Sequence, residues 1–184
     1  MRDMIRPALA LFAITAAFTL ILATTNLLTT DVIADAREAA RLGSMSYVLP
    51  GAAGFSADYA PENDIGIITY TTGYDAQGNQ IGTVIQMTVT GWDRMIFLVG
   101  ISNDGVVTGL DIISHTETPG LGARITSENY RHQFIGKTGD IRVLTRGTPA
   151  DNEVMAIAGA TITVQVVADG INKALEFVGN LENQ

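Results

Sequence analysis

The chain has 184 residues, with 19 acidic and 11 basic side chains, a formal net charge of −8 at pH 7, and no cysteine. The lack of cysteine excludes disulfides, thiol catalysis and cysteine-ligated iron–sulfur clusters within these residues. The basic residues are dispersed, which argues against a nucleic-acid partner and against electrostatic adhesion to anionic lipid. If such a chain handles electrons, it needs a bound organic cofactor, because side chains do not supply that chemistry.

The first predicted element is a membrane-spanning helix. No charged residue occurs from Pro7 to Thr30. A helix over residues 7–30 would span roughly 36 Å at ~1.5 Å per residue, which exceeds the roughly 30 Å hydrocarbon core of a bilayer. Arg2 and Arg6 in the short flank before it predict a cytoplasmic N-terminus, with the rest of the chain on the outer side.

A cleaved secretory signal is the alternative interpretation of this apolar segment. Its apolar core should be shorter and should end at a small-x-small cleavage site. The segment here is longer and closes with Asn26-Leu27-Leu28-Thr29-Thr30. We therefore expect an uncleaved anchor that contacts membrane lipid.

Beyond the anchor, the pattern predicts one domain of the α+β class. Residues 31–41 are predicted to form a helical stalk and residues 43–61 a loop. Strands are predicted over 65–72, 80–90, 94–102, 106–114 and 141–145, with turns at 75–79 and 103–105. Helices are predicted over 127–135 and from about Thr163 to Leu181. Because the strands come in a block with helices at the end, we expect an antiparallel sheet with flanking helices rather than a doubly wound fold.

A segment of small residues precedes the last predicted helix. It reads Ala158-Gly159-Ala160-Thr161-Ile162-Thr163. Thr161 and Thr163 are predicted to lie at or just before the first helical turn, where unpaired amides and the helix dipole favour an anion. Gly159 and Ala160 leave room for a bulky group beside the backbone. The segment is a candidate phosphate-binding turn, although taken alone it is more often an ordinary turn that ends in a threonine N-cap.

A second segment, Thr116-Glu117-Thr118-Pro119-Gly120-Leu121-Gly122, follows the strand predicted over 106–114. Pro119 fixes its own φ angle and biases Thr118 toward an extended backbone. Gly120 and Gly122 permit conformations that a Cβ would forbid. Such a loop can bring its backbone amides close to a flat ligand.

Together, the two segments resemble the motifs of the FMN-binding domains found in membrane redox complexes. The chain is similar over nearly its whole length to the G subunits of the Rnf complex, the ion-pumping ferredoxin:NAD oxidoreductase. The resemblance implies that a flavin transferase attaches FMN covalently to Thr161 through a phosphoester. It implies that the following residues surround the cofactor: Glu117, Thr118, Pro119, Gly120, Leu121, Gly122, Gly159, Ala160 and Thr163. In that family an aspartate usually stands six residues before the acceptor and a serine or threonine three before it, where this chain has Met155 and Ala158.

The resemblance also implies a function, and the pattern along the chain predicts a domain organisation. The chain would relay electrons between other Rnf subunits on the outer face of the cell membrane, and its partners would be the A, B, C, D and E subunits. The whole complex would couple ferredoxin oxidation and NAD reduction to sodium or proton transport. It would comprise a cytoplasmic tip and transmembrane helix (1–30), a stalk and linker (31–61) and an FMN-binding domain (62–184). The alternatives are a C subunit of the sodium-pumping NADH:quinone oxidoreductase, a stand-alone flavinylated extracellular carrier, and a non-redox membrane-anchored scaffold, which Met155 keeps open as an interpretation.

Other side chains carry weaker predictions. His115 and Glu117 stand two residues apart, but the chain has only two histidines, too few to predict a complete zinc site, and we predict no metal. Arg124 lies just beyond the second segment, where it meets an anion or is an ordinary surface arginine. The aromatic residues Trp92, Tyr70, Tyr74 and Phe97 are predicted to pack in the core or on the sheet rather than against a cofactor.

Overall fold

The computed structural model describes residues 2–61 and 66–181. The chain divides into two units, residues 1–42 and residues 43–184. The first unit belongs to helix α1 (Arg2–Val48), which is long and apolar enough to cross a membrane. Its large apolar side chains, such as Leu9 and Phe12, are exposed. The helical stalk predicted over 31–41 is confirmed as part of this helix.

The second unit is built on a five-stranded antiparallel sheet whose strands follow one another in chain order. They are β1 (Gly54–Phe55), β2 (Ile67–Tyr74), β3 (Gln80–Thr90), β4 (Arg94–Ser102) and β5 (Val107–Ser114). Strands β3 and β4 begin and end at the predicted residues, and β5 begins one residue later than predicted. The first predicted strand ends two residues further on, at Tyr74, while its first residue, Ile65, lies outside the described residues.

The chain after the sheet contains short elements and one long helix. They are a 3₁₀ turn (Gly122–Thr126), α2 (Glu128–Arg131), a second 3₁₀ turn (His132–Phe134), β6 (Arg142–Leu144), β7 (Glu153–Met155) and α3 (Thr161–Leu181). The α+β class is confirmed. The helix predicted over 127–135 is split between α2 and the second 3₁₀ turn, and α3 begins two residues earlier than predicted. The strand β7, which pairs in parallel with β6, was not predicted.

The main core lies between one face of the sheet and α3. Buried side chains at alternate positions of β4, among them Phe97 and Val99, belong to the same cluster as Val164 and Ile171 of α3. Apolar residues alternate on a strand and recur every three or four positions on a helix, so each element presents one continuous apolar face. This packing fixes the start of α3 relative to the ends of the strands.

The opposite face of the sheet holds the end of α1, which corrects the loop predicted over 43–61. The helix continues to Val48, and Met45, Val48 and Leu49 form a second buried cluster with side chains of β3 and β4. A Cβ built on Gly100 would lie 2.0 Å from the Val48 carbonyl oxygen. Thr108 Oγ1 donates a hydrogen bond of 2.6 Å to that same oxygen. The sheet therefore accepts this helical turn only because glycine leaves its surface open there.

A Gly100→Ala variant tests this contact. The added methyl group cannot avoid the Val48 backbone without moving it, so we expect the variant to lose about 1–3 kcal/mol of unfolding free energy. Gly179→Ala is the matched control, because a Cβ there meets nothing within 4 Å and alanine is a better helix former than glycine. Urea unfolding of the full chain in detergent measures both, and equal midpoints would contradict the contact.

Candidate functional site

The two predicted segments meet at one open pocket of about 250 Å³. Of its ten lining residues, seven belong to the predicted site: Glu117, Thr118, Leu121, Gly122, Gly159, Ala160 and Thr163. Thr116, Trp92 and Asp93 complete the lining. Three predicted residues, Pro119, Gly120 and Thr161, are exposed and do not line the pocket. The structure thus brings together segments that lie about 40 residues apart in the sequence.

One wall of the pocket comes from a tight turn in the segment after β5. The Leu121 amide donates a 3.2 Å hydrogen bond to the Thr118 carbonyl oxygen. Gly120 has a φ angle of +80° and follows Pro119, which is the sequence and backbone pattern of a type II turn. The turn places Pro119 and Gly120 at its tip and directs the chain back so that Leu121 and Gly122 face the pocket.

A hydrogen bond joins this wall to the start of α3. Thr163 Oγ1 donates to Glu117 Oε2 over 3.1 Å, and Thr163 is only 1% exposed. A Cβ built on Gly122 would lie 2.0 Å from the same carboxylate oxygen. Glycine at 122 is therefore required for the Glu117 carboxylate to lie where Thr163 can reach it.

The predicted acceptor, Thr161, is the first residue of α3 and is exposed. The first hydrogen bond of the helix runs from the Val164 amide to the Ala160 carbonyl oxygen over 3.3 Å. Helix geometry therefore leaves the amides of residues 161–163 without intrahelical partners. Gly159, just before the helix, has a φ angle of +81°, a conformation that is costly for residues with a Cβ. The result is an accessible hydroxyl beside three free donors and the positive end of the helix dipole.

Side chains from α2 and the second 3₁₀ turn hold the segment that leads to Thr161. Tyr130 Oη donates to the Met155 carbonyl oxygen, and the Met155 amide donates to Gln133 Oε1 over 2.9 Å. Burial raises the pKa of the Tyr130 phenol above its ordinary value. Both polar groups of the Met155 backbone are therefore satisfied by side chains, independently of the residue type at position 155.

The prediction for Trp92 is wrong. Trp92 is 78% exposed and lines the pocket from the turn between β3 and β4. The other three aromatic predictions are confirmed. Phe97 is fully buried, and Tyr70 of β2 packs on the sheet between Tyr59 (5.6 Å between ring centroids) and Phe177 (5.2 Å). Tyr74 is partly buried at the end of the same strand. The position of Trp92 between two predicted strands was the signal that it lies in an exposed turn.

Asp93, next to Trp92, was also missed. Its carboxylate accepts hydrogen bonds from the Thr116 side chain and from the Arg94 amide, and these bonds lower the pKa of Asp93 below its ordinary value. Asp93 is therefore ionised at neutral pH. Arg124, which was considered as an anion partner, is exposed and does not line the pocket.

The pocket has a characteristic chemistry. Its lining includes two carboxylates, Asp93 and Glu117, and no lysine or arginine. An aromatic face and an aliphatic side chain, Trp92 and Leu121, lie among threonine hydroxyls and backbone groups of glycine and alanine. Such a lining suits a flat aromatic ligand with polar edges. It does not supply the cations that usually hold a free phosphate.

The domain that holds the pocket is of the FMN-binding class, and the helix before it is long and apolar enough to cross a membrane. Residues 91–176, which contain the whole pocket lining, match the FMN-binding domain family, and residues 1–48 match the RnfG N-terminal region. The chain belongs to the RnfG family of ion-translocating oxidoreductase complexes, as its sequence predicts.

Two relatives support this family assignment. The chain is 38% identical to the G subunit of the ion-translocating oxidoreductase complex of Methanosarcina acetivorans, over 76% of this chain and 75% of that protein. It is 35% identical to the G subunit of the Na(+)-translocating ferredoxin:NAD(+) oxidoreductase complex of Acetobacterium woodii, over 94% of this chain and 90% of that protein. The crystal structure of Shewanella oneidensis NqrC shares the fold, with a TM-score of 0.54, 20% identity and 73% of each chain covered.

A Tyr130→Phe variant tests the hydrogen bond from Tyr130 to the Met155 carbonyl oxygen. Losing the hydrogen bond should lower the unfolding free energy by about 1 kcal/mol at pH 7. In the parent chain the pKa of Tyr130 is raised in the folded state, so the unfolded state releases the phenolic proton at lower pH. The unfolding free energy therefore falls as the pH rises above about 10. The variant should lose that part of the pH dependence. Urea unfolding between pH 7 and 11 measures both effects.

Tyr59→Phe is the control for this experiment, since Tyr59 is 52% exposed. It should keep the alkaline slope of the parent chain. Identical slopes for the parent and for Tyr130→Phe would mean that Tyr130 is not the buried phenol.

Proposed function

We propose that this chain is the electron-relay subunit of an Rnf-type complex and that it carries FMN esterified to Thr161 Oγ1. Three G subunits that resemble it are named as parts of ion-translocating oxidoreductase complexes, two of them as parts of ferredoxin:NAD(+) oxidoreductases that translocate sodium ions or protons. One observation carries the proposal: within the FMN-binding domain, both motifs line a single pocket, and Thr161 stands exposed between two of its lining residues, Ala160 and Thr163.

The residues present fit FMN. Trp92 and Leu121 offer apolar contact to the flat ring, and the Thr118 hydroxyl offers hydrogen bonds to its polar edges. A Cβ on Gly159 would lie 3.2 Å from Leu121 Cδ2, so the absence of a side chain there keeps this wall of the pocket open. When bound, FMN supplies the one-electron and two-electron chemistry that the side chains lack. The chain binds and orients the ring, and its dipoles and charges tune the potential.

The electrostatics of the pocket support a covalent attachment. Its lining holds two carboxylates and no cation, so the dianionic phosphate of free FMN has only the amides at the start of α3 to hold it. A reversible site would empty wherever free FMN falls below its dissociation constant. An ester to Thr161 makes retention independent of the concentration of FMN.

The choice between the two threonines follows from their accessibility. The Thr161 side chain is exposed, whereas Thr163 is 1% exposed and its hydroxyl is engaged by Glu117. A flavin transferase needs an accessible hydroxyl, so Thr161 is the acceptor and Thr163 supports the loop. Met155, in place of the family's usual aspartate, does not disturb the approach to Thr161, because Tyr130 and Gln133 hold its backbone.

Helix α1 anchors the chain in lipid, and Arg2 and Arg6 keep its N-terminus in the cytoplasm, so that the FMN domain lies on the outer side. The stalk and linker (31–61) and the FMN domain (62–184) follow the anchor. The electron donor and acceptor are other Rnf subunits, and a flavin transferase is the partner in maturation.

A Thr161→Ala variant tests the ester. The full chain is expressed with a flavin transferase, denatured, and separated on a gel that is inspected for flavin fluorescence. We expect a fluorescent band for the parent chain and a dark band for the variant, because removing the hydroxyl removes the bonding oxygen.

Two controls accompany this test. Thr161→Ser keeps a hydroxyl at the start of α3 and should remain fluorescent, and Thr148→Ala removes an exposed threonine outside the pocket and should match the parent. A dark parent band would defeat the covalent attachment. A fluorescent Thr161→Ala band would place the ester on another residue.

A Trp92→Leu variant tests the aromatic wall. The ester does not involve Trp92, so the denatured band should stay fluorescent. The native protein should hold the ring less firmly, because an exposed aromatic contact worth about 0.5–1.5 kcal/mol is lost. Lower steady-state anisotropy of the flavin fluorescence measures this loosening. Tyr59→Leu, at another exposed ring, is the control, and unchanged anisotropy in Trp92→Leu would exclude the contact.

A further inference from the structure

We propose that Glu117 and Asp93 are potential-setting residues, whose negative charges hold the reduction potential of the pocket's flavin low. The inference rests on the proposed function, because it requires FMN in the pocket. Asp93 lies outside both motif segments, so its role is new. For Glu117 the inference adds an electrostatic role to the expected contact with the cofactor.

Glu117 is held in place with its charge uncompensated. Its carboxylate accepts the Thr163 hydroxyl over 3.1 Å and lies against the backbone of Gly122. Glu117 is partly buried and lines the pocket. In the part of the chain that the structure describes, no lysine or arginine lies within ion-pair distance of it. Its negative charge therefore faces the pocket without a compensating cation from the described part of the chain.

Asp93 adds a second charge from the strand side of the pocket. The Thr116 hydroxyl and the Arg94 amide fix its carboxylate, and both are neutral donors. Among the described residues the Arg94 side chain forms no ion pair with Asp93, and its Nε donates to Thr88 Oγ1 over 3.2 Å. Asp93 is exposed, so its effect on the pocket is weaker than that of Glu117 and depends on ionic strength.

The consequence follows from the charge balance of reduction. A one-electron donor gives up one electron, and the oxidised ring gains that electron and one unit of negative charge unless a proton follows. Fixed negative charges beside the ring disfavour the reduced form and so lower the potential. A cation in the pocket would act in the opposite direction, and the lining contains none. The arrangement suits a relay that takes electrons from a strong reductant and passes them on readily.

The test is a redox titration of the full-length, flavin-loaded chain in detergent. Dithionite supplies the electrons, mediators equilibrate them, and flavin absorbance reports the midpoint potential at low and high salt. The variants are Glu117→Gln and Asp93→Asn, each of which removes one charge and keeps the shape of the side chain. Asp169→Asn is the control, since it removes an exposed charge on α3 that pairs with Gln165 and does not line the pocket.

We expect Glu117→Gln to shift the midpoint to more positive values, by on the order of tenfold in the one-electron equilibrium constant, or about 59 mV. Asp93→Asn should produce a smaller positive shift that shrinks at high salt, and Asp169→Asn should leave the midpoint unchanged. Shifts of Glu117→Gln and Asp93→Asn no larger than the control's would overturn the inference.

The outcomes separate this inference from the proposed function. A parent chain without flavin defeats the proposed function, whereas a loaded parent whose variants keep its potential defeats only this inference. If Glu117→Gln fails to take up flavin, Asp93→Asn decides alone, because its side chain is exposed and makes no contact with α3 among its hydrogen bonds. A folded Asp93→Asn chain that takes up no flavin would also overturn the role given to Asp93.

Discussion

The hydrogen bond between Thr163 and Glu117 is the contact on which the site depends. It joins the loop after β5 to the first turn of α3, over 3.1 Å and with Thr163 almost fully buried. Gly122 makes it possible, since any side chain there would occupy the space of the carboxylate. The packing of α3 on the sheet sets the position of Thr163, and the type II turn sets the position of Glu117. A pocket results only because both elements meet at this point.

The two faces of the sheet serve different parts of the molecule. One face packs against α3 and so fixes the start of that helix, where Thr161 stands. The other face receives the last turn of α1 on a glycine surface, and Thr108 satisfies the Val48 carbonyl oxygen. The end of α1 is therefore an integral part of the second unit. The pocket lies beside strands that are packed on both sides, which suits a site whose cofactor must keep a fixed orientation.

The sequence predicted the features that depend on local pattern and missed those that depend on distant contacts. β3 and β4 were predicted to the residue because their apolar pattern ends at clear turns. The helical turn at 43–48 was missed because its stability comes from packing on the sheet. The strand β7 was missed because the side chains of Tyr130 and Gln133, which are distant in the sequence, bind its backbone. Trp92 was predicted to pack in the core or on the sheet, although its place in a hairpin turn decides its exposure. No local signal shows that the two motifs meet, so that expectation came from the family resemblance.

Peptide mass spectrometry tests the central claim, the phosphoester at Thr161, most directly. The full chain is matured with its flavin transferase and digested with trypsin, and the peptide covering residues 147–173 is fragmented. Our account requires the mass of FMN less one water on this peptide, with the fragment ions assigning it to Thr161. An unmodified peptide, from a chain that loses all its flavin on denaturation, would contradict the account.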